Sequence, residues 1–159
     1  LGVQVSPLKK LTASIGFDYF LDKPAYYGKT SGGEQINNET TIDENAYTFQ
    51  ASLEYKLLPI LGVSAGFSTG NLGVNENYQS DLSYALKSKT IAGGVFVDLG
   101  EKITLNAGLV YVMYDDYSKS QTWTAEGPLS IIFPESPISY SDMYSKNTMI
   151  VAVGVDISL

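Results

Sequence analysis

The sequence predicts an all-β fold, an antiparallel up-and-down transmembrane β-barrel of which about seven strands are present. Three observations carry that reading. Apolar residues recur at every second position in stretches about as long as a tilted strand needs to cross a bilayer. The connections between these stretches alternate short and long, as tight turns and long loops do in bacterial outer-membrane barrels. Charge is also sorted by parity. Within 11–21, 47–57, 61–67, 91–99, 103–113 and 149–159, Asp18, Glu54, Lys56, Asp98 and Asp156 are all even-numbered, and the odd positions carry no charge. An unpaired basic residue facing lipid at mid-bilayer costs about 2–4 kcal/mol, so a bilayer would impose this sorting.

The clearest stretch is the last, where Met149, Val151, Val153, Val155, Ile157 and Leu159 alternate with small or polar residues, Ile150 excepted. The first strand alternates Leu1, Val3 and Val5 and turns at 6–10. The second runs from Leu11 to Leu21, followed by a polar loop, 22–45. The third, Ala46 to Leu57, turns tightly at Leu58-Pro59 into a fourth, Leu61 to Ser68. A second loop covers 69–80. A fifth strand is expected from about Asp81 to Leu99. Its apolar phase shifts from Leu82, Tyr84 and Leu86 to Ile91, Val95 and Val97, which predicts a β-bulge near 87–89 unless the upper half lies beyond the membrane. After a turn at 100–102, the sixth strand spans Ile103 to Tyr114, and a third loop fills 115–146. Seven is an odd count, and a sheet edge cannot stay open in lipid. The strands therefore read as part of a larger barrel, with the long loops together at one end.

Composition removes several function classes. The chain of 159 residues has no cysteine and no histidine, which rules out disulfides, thiolate or imidazole metal sites, and Ser-His or Cys-His catalysis. A net charge of -7 argues against nucleic acid as a partner. No apolar run is long enough for a transmembrane helix. Leu1 is not an initiator methionine, and Leu-Gly-Val-Gln-Val reads as a strand in progress, so a preceding segment is expected. Twelve tyrosines and few charges suit a barrel with aromatic girdles. The chemistry expected is non-enzymatic, with no cofactor.

Several phrases resemble one family. Lys10-Leu-Thr-Ala-Ser-Ile-Gly-Phe-Asp-Tyr, Leu53-Glu-Tyr-Lys-Leu, Val63-Ser-Ala-Gly-Phe, Asp81-Leu-Ser-Tyr-Ala-Leu, Leu105-Asn-Ala-Gly-Leu-Val-Tyr and Tyr114-Asp-Asp-Tyr are similar to the C-terminal half of FadL-type outer-membrane transporters of long-chain fatty acids, especially those of Bacteroidetes. The resemblance implies a fourteen-stranded barrel plugged by an N-terminal hatch and taking up hydrophobic compounds by passive diffusion. Residues 1–159 would then form a single barrel domain, the C-terminal portion, without the hatch and early strands. Leu159 stands where that family usually has an aromatic.

The candidate binding residues lie on the even, inward face. Phe20, Phe96, Val110, Val112, Tyr114 and Ile150 are apolar or aromatic where a water-filled porin would be polar. Phe20, Val112 and Ile150 count to one height, so an apolar layer in the upper lumen is expected to take a hydrophobic small molecule; side-chain filler would look the same. The inward Gly66, Gly94, Gly108 and Gly154 leave space or mark bends. Asp115-Asp116 reads as solvated surface more readily than as a cation site. Trp123 and Phe133 read as packing of the third loop before ligand contact. The expected partners are outer-membrane lipid, or detergent in its place, and hydrophobic small molecules. Two alternatives stand beside this: a structural or adhesive outer-membrane barrel whose loops bind a partner, and a soluble β-barrel or sandwich binding module.

Overall fold

A computed structural model describes the chain except residues 26–29, 32, 36, 81, 83, 133–136 and 159. The strands are β1 (Gly2–Leu8), β2 (Leu11–Phe20), β3 (Thr30–Ser31), β4 (Glu34–Gln35), β5 (Ala46–Leu58), β6 (Leu61–Asn71), β7 (Ser88–Leu99), β8 (Ile103–Tyr114), β9 (Tyr117–Trp123), β10 (Ile138–Tyr144) and β11 (Asn147–Ile157). Seven of them form one antiparallel sheet in the order β1-β2-β5-β6-β7-β8-β11; β3-β4 and β9-β10 are separate hairpins. A 3-10 turn at Asn38–Thr40 and one helical turn, α1 (Leu129–Ile132), are the helical elements among the described residues.

The pairing preserves parity across the whole sheet. Leu11 pairs with Tyr55, Tyr55 with Val63, Val63 with Val95, Val95 with Ala107 and Ala107 with Val153, all odd. The even row Ser14, Ser52, Gly66, Ala92, Val110 and Ile150 lies on the other face. A slip of one residue in any ladder would exchange the faces of every strand beyond it. The register shifts of the main sheet, between Val5 and Leu8 and between Lys56 and Leu58, sit at the turns, where nothing lies beyond to be exchanged.

The three short connections, 9–10, 59–60 and 100–102, lie at one end, and the three long ones at the other, as the loop lengths predicted. Several boundaries differ from expectation. β1 continues through Pro7 to Leu8, because an edge strand loses no ladder bond to a proline. β7 begins at Ser88, so the bulge expected near 87–89 does not form: Ser88 to Leu99 pair with β8 without a break. The phase of Tyr84 and Leu86 differs because they belong to a loop and have no face to respect. The expected start at Asp81 lies outside the described residues, as does Leu159. The third loop is not irregular, since β9 and β10 prolong the β8–β11 pair outward. Asn147 pairs with Met113 below and Tyr144 with Tyr117 above, a one-residue offset at the links 115–116 and 145–146.

The sheet does not close into a barrel. β1 and β11 remain its two edges, and after six antiparallel pairings they run in the same direction. Nor does any element among the described residues cover the sheet as a second layer. The buried apolar residues among those described are Ala46, Ala125 and Tyr144, all at or beyond the long-loop end. There the first two loops are knotted. Ile42 bridges to Val74, the Asp43 and Glu44 amides both donate to the Gly73 carbonyl at 2.8 and 3.1 Å, and Asn75 Nδ2 donates to Thr40 O and Asp43 Oδ1.

Gly73 holds φ +69, and a Cβ there would stand 2.0 Å from Glu44 O. Gly73→Ala should therefore loosen the knot by about 1–3 kcal/mol. Limited proteolysis should then cut within 22–45 and 72–87 at least several-fold faster, with the sheet unchanged by circular dichroism.

Candidate functional site

Accessibility alternates along the central strands, and with an unusual sign. In β7 and β8 the odd residues Ile91, Val95, Leu105, Leu109 and Tyr111 are exposed, while the even residues from Ala92 to Asp98 and from Thr104 to Tyr114 are half-buried. Of the outward positions predicted from parity, Ile15, Phe49, Leu109 and Val153 are exposed and Val63 is half-buried. On these two strands the more enclosed face is the even one; on β5 the even Gln50, Ser52 and Glu54 are exposed, and β1 and almost all of β11 are open on both faces. Fully burying one such aliphatic or aromatic side chain is worth about 1.5–3 kcal/mol. Over a dozen half-exposed residues, the odd face leaves on the order of 10 kcal/mol unrealised in water, as much as a domain's net stability. One charge joins this face: Lys89, at the upper rim, lies 4.0 Å from Asp115.

The even face is built from cross-strand polar contacts near the short-turn end. Lys56 Nζ stands 3.4 Å from Asp98 Oδ2, the Thr104 hydroxyl donates to Asp98 Oδ1 at 2.8 Å, and Asn106 Nδ2 donates to Asp156 Oδ2 at 2.6 Å. Lys56 also sits over the Phe96 ring, 5.7 Å from its centroid. That ring does not stand free in the interior. It lies flat on Gly62, where an added Cβ would meet Phe96 Cζ at 2.0 Å. Higher up, Gln4, Ser14, Gln50, Ser52, Ser68 and Thr90 line a concavity of about 680 Å³ across β1 to β7 together with Val3, Ile15, Phe67 and Ala92, so its surface is of mixed polarity. The parity-selected apolar residues sit to one side of it.

Placed on the ladder, the six candidate residues divide. Val110 pairs directly with Ile150 and with Ala92, and Val112 with Thr90 and Thr148, so these three candidates form one apolar stripe on β8 and β11. Tyr114 continues the stripe upward in the row Thr48–Gly70–Ser88–Tyr114. Phe96 lies low, beside the charged cluster. Phe20 is four strands away on β2, paired with Ala46 and half-exposed. By hydrogen-bonded row, Phe20, Val112 and Ile150 occupy three different levels. Of the inward glycines, Gly94 is required by Ser64 Oγ, 2.8 Å from the place of a Cβ, whereas one at Gly154 would meet nothing.

The upper row floors a second pocket of about 620 Å³ that parity alone does not reveal. Loop 72–87 arches over it, presenting Leu72, Tyr78, Tyr84, Ala85 and Leu86, with Leu82 standing fully exposed at the rim. Lys146 closes one side, its Nζ 5.2 Å from the Tyr114 centroid. The signal for this pocket was the phase change at Tyr84 and Leu86, which marks apolar residues leaving the ladder to roof its end. Trp123 ends β9 opposite Ile138 and is half-exposed; Phe133 lies outside the described residues. The arrangement can enclose a small amphiphile: an aromatic and aliphatic chamber, one cation, and an apolar stripe leading down the concave face.

Compared with family models, curated proteins and solved structures, the chain matches none.

The Phe96–Gly62 contact has a direct consequence. Gly62→Val should destabilise the sheet by about 1–3 kcal/mol through overpacking. Gly66→Ala, whose Cβ would stand 3.7 Å from Ala92 Cβ, should be near neutral. Unfolding midpoints of the two variants in detergent check the contrast.

Proposed function

We propose that this chain is the greater part of one wall of an outer-membrane β-barrel, of a kind similar to the FadL-type transporters, that admits hydrophobic compounds such as long-chain fatty acids by passive diffusion and catalyses no reaction. The observation that carries the reading is the sorting of the sheet into an apolar, uncovered odd face and a more polar even face, the odd face being the more open one on β7 and β8. Water would penalise that surface, and a bilayer would reward it. In lipid, each edge group left without a partner costs several kcal/mol, so such a sheet must close. Because β1 and β11 run the same way, all-antiparallel closure requires an odd number of further strands.

Passage needs a place to collect the solute and a surface to slide along. The roofed chamber at the long-loop end supplies the first, and the stripe Tyr114, Val112, Val110 and Ile150 supplies the second. Burying each methylene of an alkyl chain contributes roughly 0.8 kcal/mol, enough for about ten carbons to bind after ordering costs. Lys146 is placed for an anionic headgroup. The structural or adhesive reading is favoured by a different observation. The β9–β10 hairpin stands beyond the sheet with Tyr140, Met143 and Ile138 exposed, a surface on which a partner could rest.

Two measurements test this. Nitroxides at Ile15, Phe49, Leu109 and Val153 in lipid should be relaxed by oxygen and shielded from aqueous nickel chelates, while one at Ser52 should show the reverse. A uniformly water-accessible odd face would sink the membrane reading. Second, Val112→Asp with Ile150→Asp in the full protein should lower fatty-acid uptake several-fold at unchanged barrel assembly. Unchanged uptake would make the stripe filler and leave the adhesive reading ahead.

A further inference from the structure

The roof of the upper pocket is held from two sides. From within, the buried Gln79 acts as a piece of backbone: Ala85 N donates to its Oε1 at 3.0 Å, and its Nε2 donates to Ala85 O at 2.7 Å. Gln79 and Ala85 thus close a hydrogen-bonded ring, with Tyr78, Tyr84 and Leu86 beside the closure. From outside, the ring is held by the β9–β10 hairpin. Lys119 Nζ donates to the carbonyls of Glu76 and Gln79 at 2.9 and 3.4 Å. The buried Tyr144 packs on Tyr84, with ring centroids 5.4 Å apart, and on Tyr117 at 6.1 Å.

Cross-strand pairing puts these catches on one side of the hairpin. Tyr117 pairs with Tyr144 and Lys119 with Asp142, and alternation gives all four the same face. The other side carries Ser118, Ser120, Ser141 and Met143, all exposed. The hairpin continues from the main sheet through the two-residue links 115–116 and 145–146, where the register slips by one residue. One of those links contains Lys146, the cation that closes the pocket wall. A tilt at these links would withdraw Tyr144 and Lys119 from the roof and move Lys146 in the same step.

We propose that the β9–β10 hairpin is a latch on the roof of the upper pocket, with Lys119 and Tyr144 as its two catches, so that access to the pocket is set from outside the barrel wall. The proposal rests on the reading of this pocket as a ligand chamber, but its mechanical part is separable. Lys119 holds carbonyls and has no stake in the pocket's lining, so losing it opens the roof without altering the surface a ligand meets. Tyr144 acts through Tyr84, which is part of that lining.

The test uses the full protein in lipid nanodiscs. Lys119→Met keeps the stem and removes the donor; Tyr144→Leu keeps bulk and removes the ring pair. Both should speed hydrogen exchange at the Ala85 amide at least ten-fold, while amides of β7 and β8 stay as in the parent. Binding of 1-N-phenylnaphthylamine, followed by stopped flow, should become several-fold faster. The chain has no cysteine, so a short bismaleimide bridge between Tyr84→Cys and Tyr144→Cys can be placed specifically, and it should slow binding below the parent rate. Unchanged Ala85 exchange in both variants overturns the latch. So does faster exchange with an unaltered binding rate and no effect of the bridge. If the parent binds no probe at all, the ligand-chamber reading fails, and the exchange result alone then decides whether the latch stands.

Discussion

The structure depends on one constraint: two-residue alternation carried across six antiparallel ladders, whose register shifts sit at the turns beside Leu8 and Leu58. Because odd residues meet odd residues from β2 to β11, a pattern written separately into each strand adds up to two continuous faces. One is nearly all apolar, and the other gathers Lys56, Asp98, Asp156 and their hydroxyl and amide partners. The sign of the burial gives this meaning. In a water-soluble sheet the apolar face is the covered one; here it is the open one, and on the central strands the polar face is sheltered by the curvature and by cross-strand side chains.

The polar contacts on the inner face are individually modest. The Lys56–Asp98 pair is partly solvated, so water screens much of its attraction. Their effect is to occupy space in a defined way. Lys56 over the ring and Gly62 beneath it together fix where Phe96 lies on the even face. The upper end is organised differently, by loop-to-loop hydrogen bonds through Gly73, Asn75 and Gln79 and by the tyrosine cluster around Tyr144. The small amount of true core in the described residues lies there, at the end where the candidate chamber is roofed.

Much of this was legible before any coordinates. The seven main strands, their turns and the placement of long loops at one end follow from alternation and connection length, both of which are local. The apolar stripe of Val110, Val112 and Ile150 was legible for the same reason, since parity selects it. The common height assigned to Phe20, Val112 and Ile150 did not survive in the ladder. Counting along single strands ignores the stagger between neighbours, and Phe20 lies four strands from Val112. The bulge near 87–89 was a wrong period reading: Tyr84 and Leu86 are apolar because they roof a pocket, and a loop can bury side chains without alternating.

By itself, then, the sequence determined the all-β antiparallel class, the order of the main strands and the division of chemistry between two faces, because each rests on contacts between near neighbours or on a periodicity that every strand repeats. It also excluded thiol and imidazole chemistry by composition alone. Only the tertiary structure decided that Phe96 rests on Gly62, that Gln79 closes a ring with Ala85, and that the hairpin leans on loop 72–87 through Lys119 and Tyr144. Those contacts join residues from separate loops or from strands that happen to be neighbours, and no local pattern encodes such a meeting.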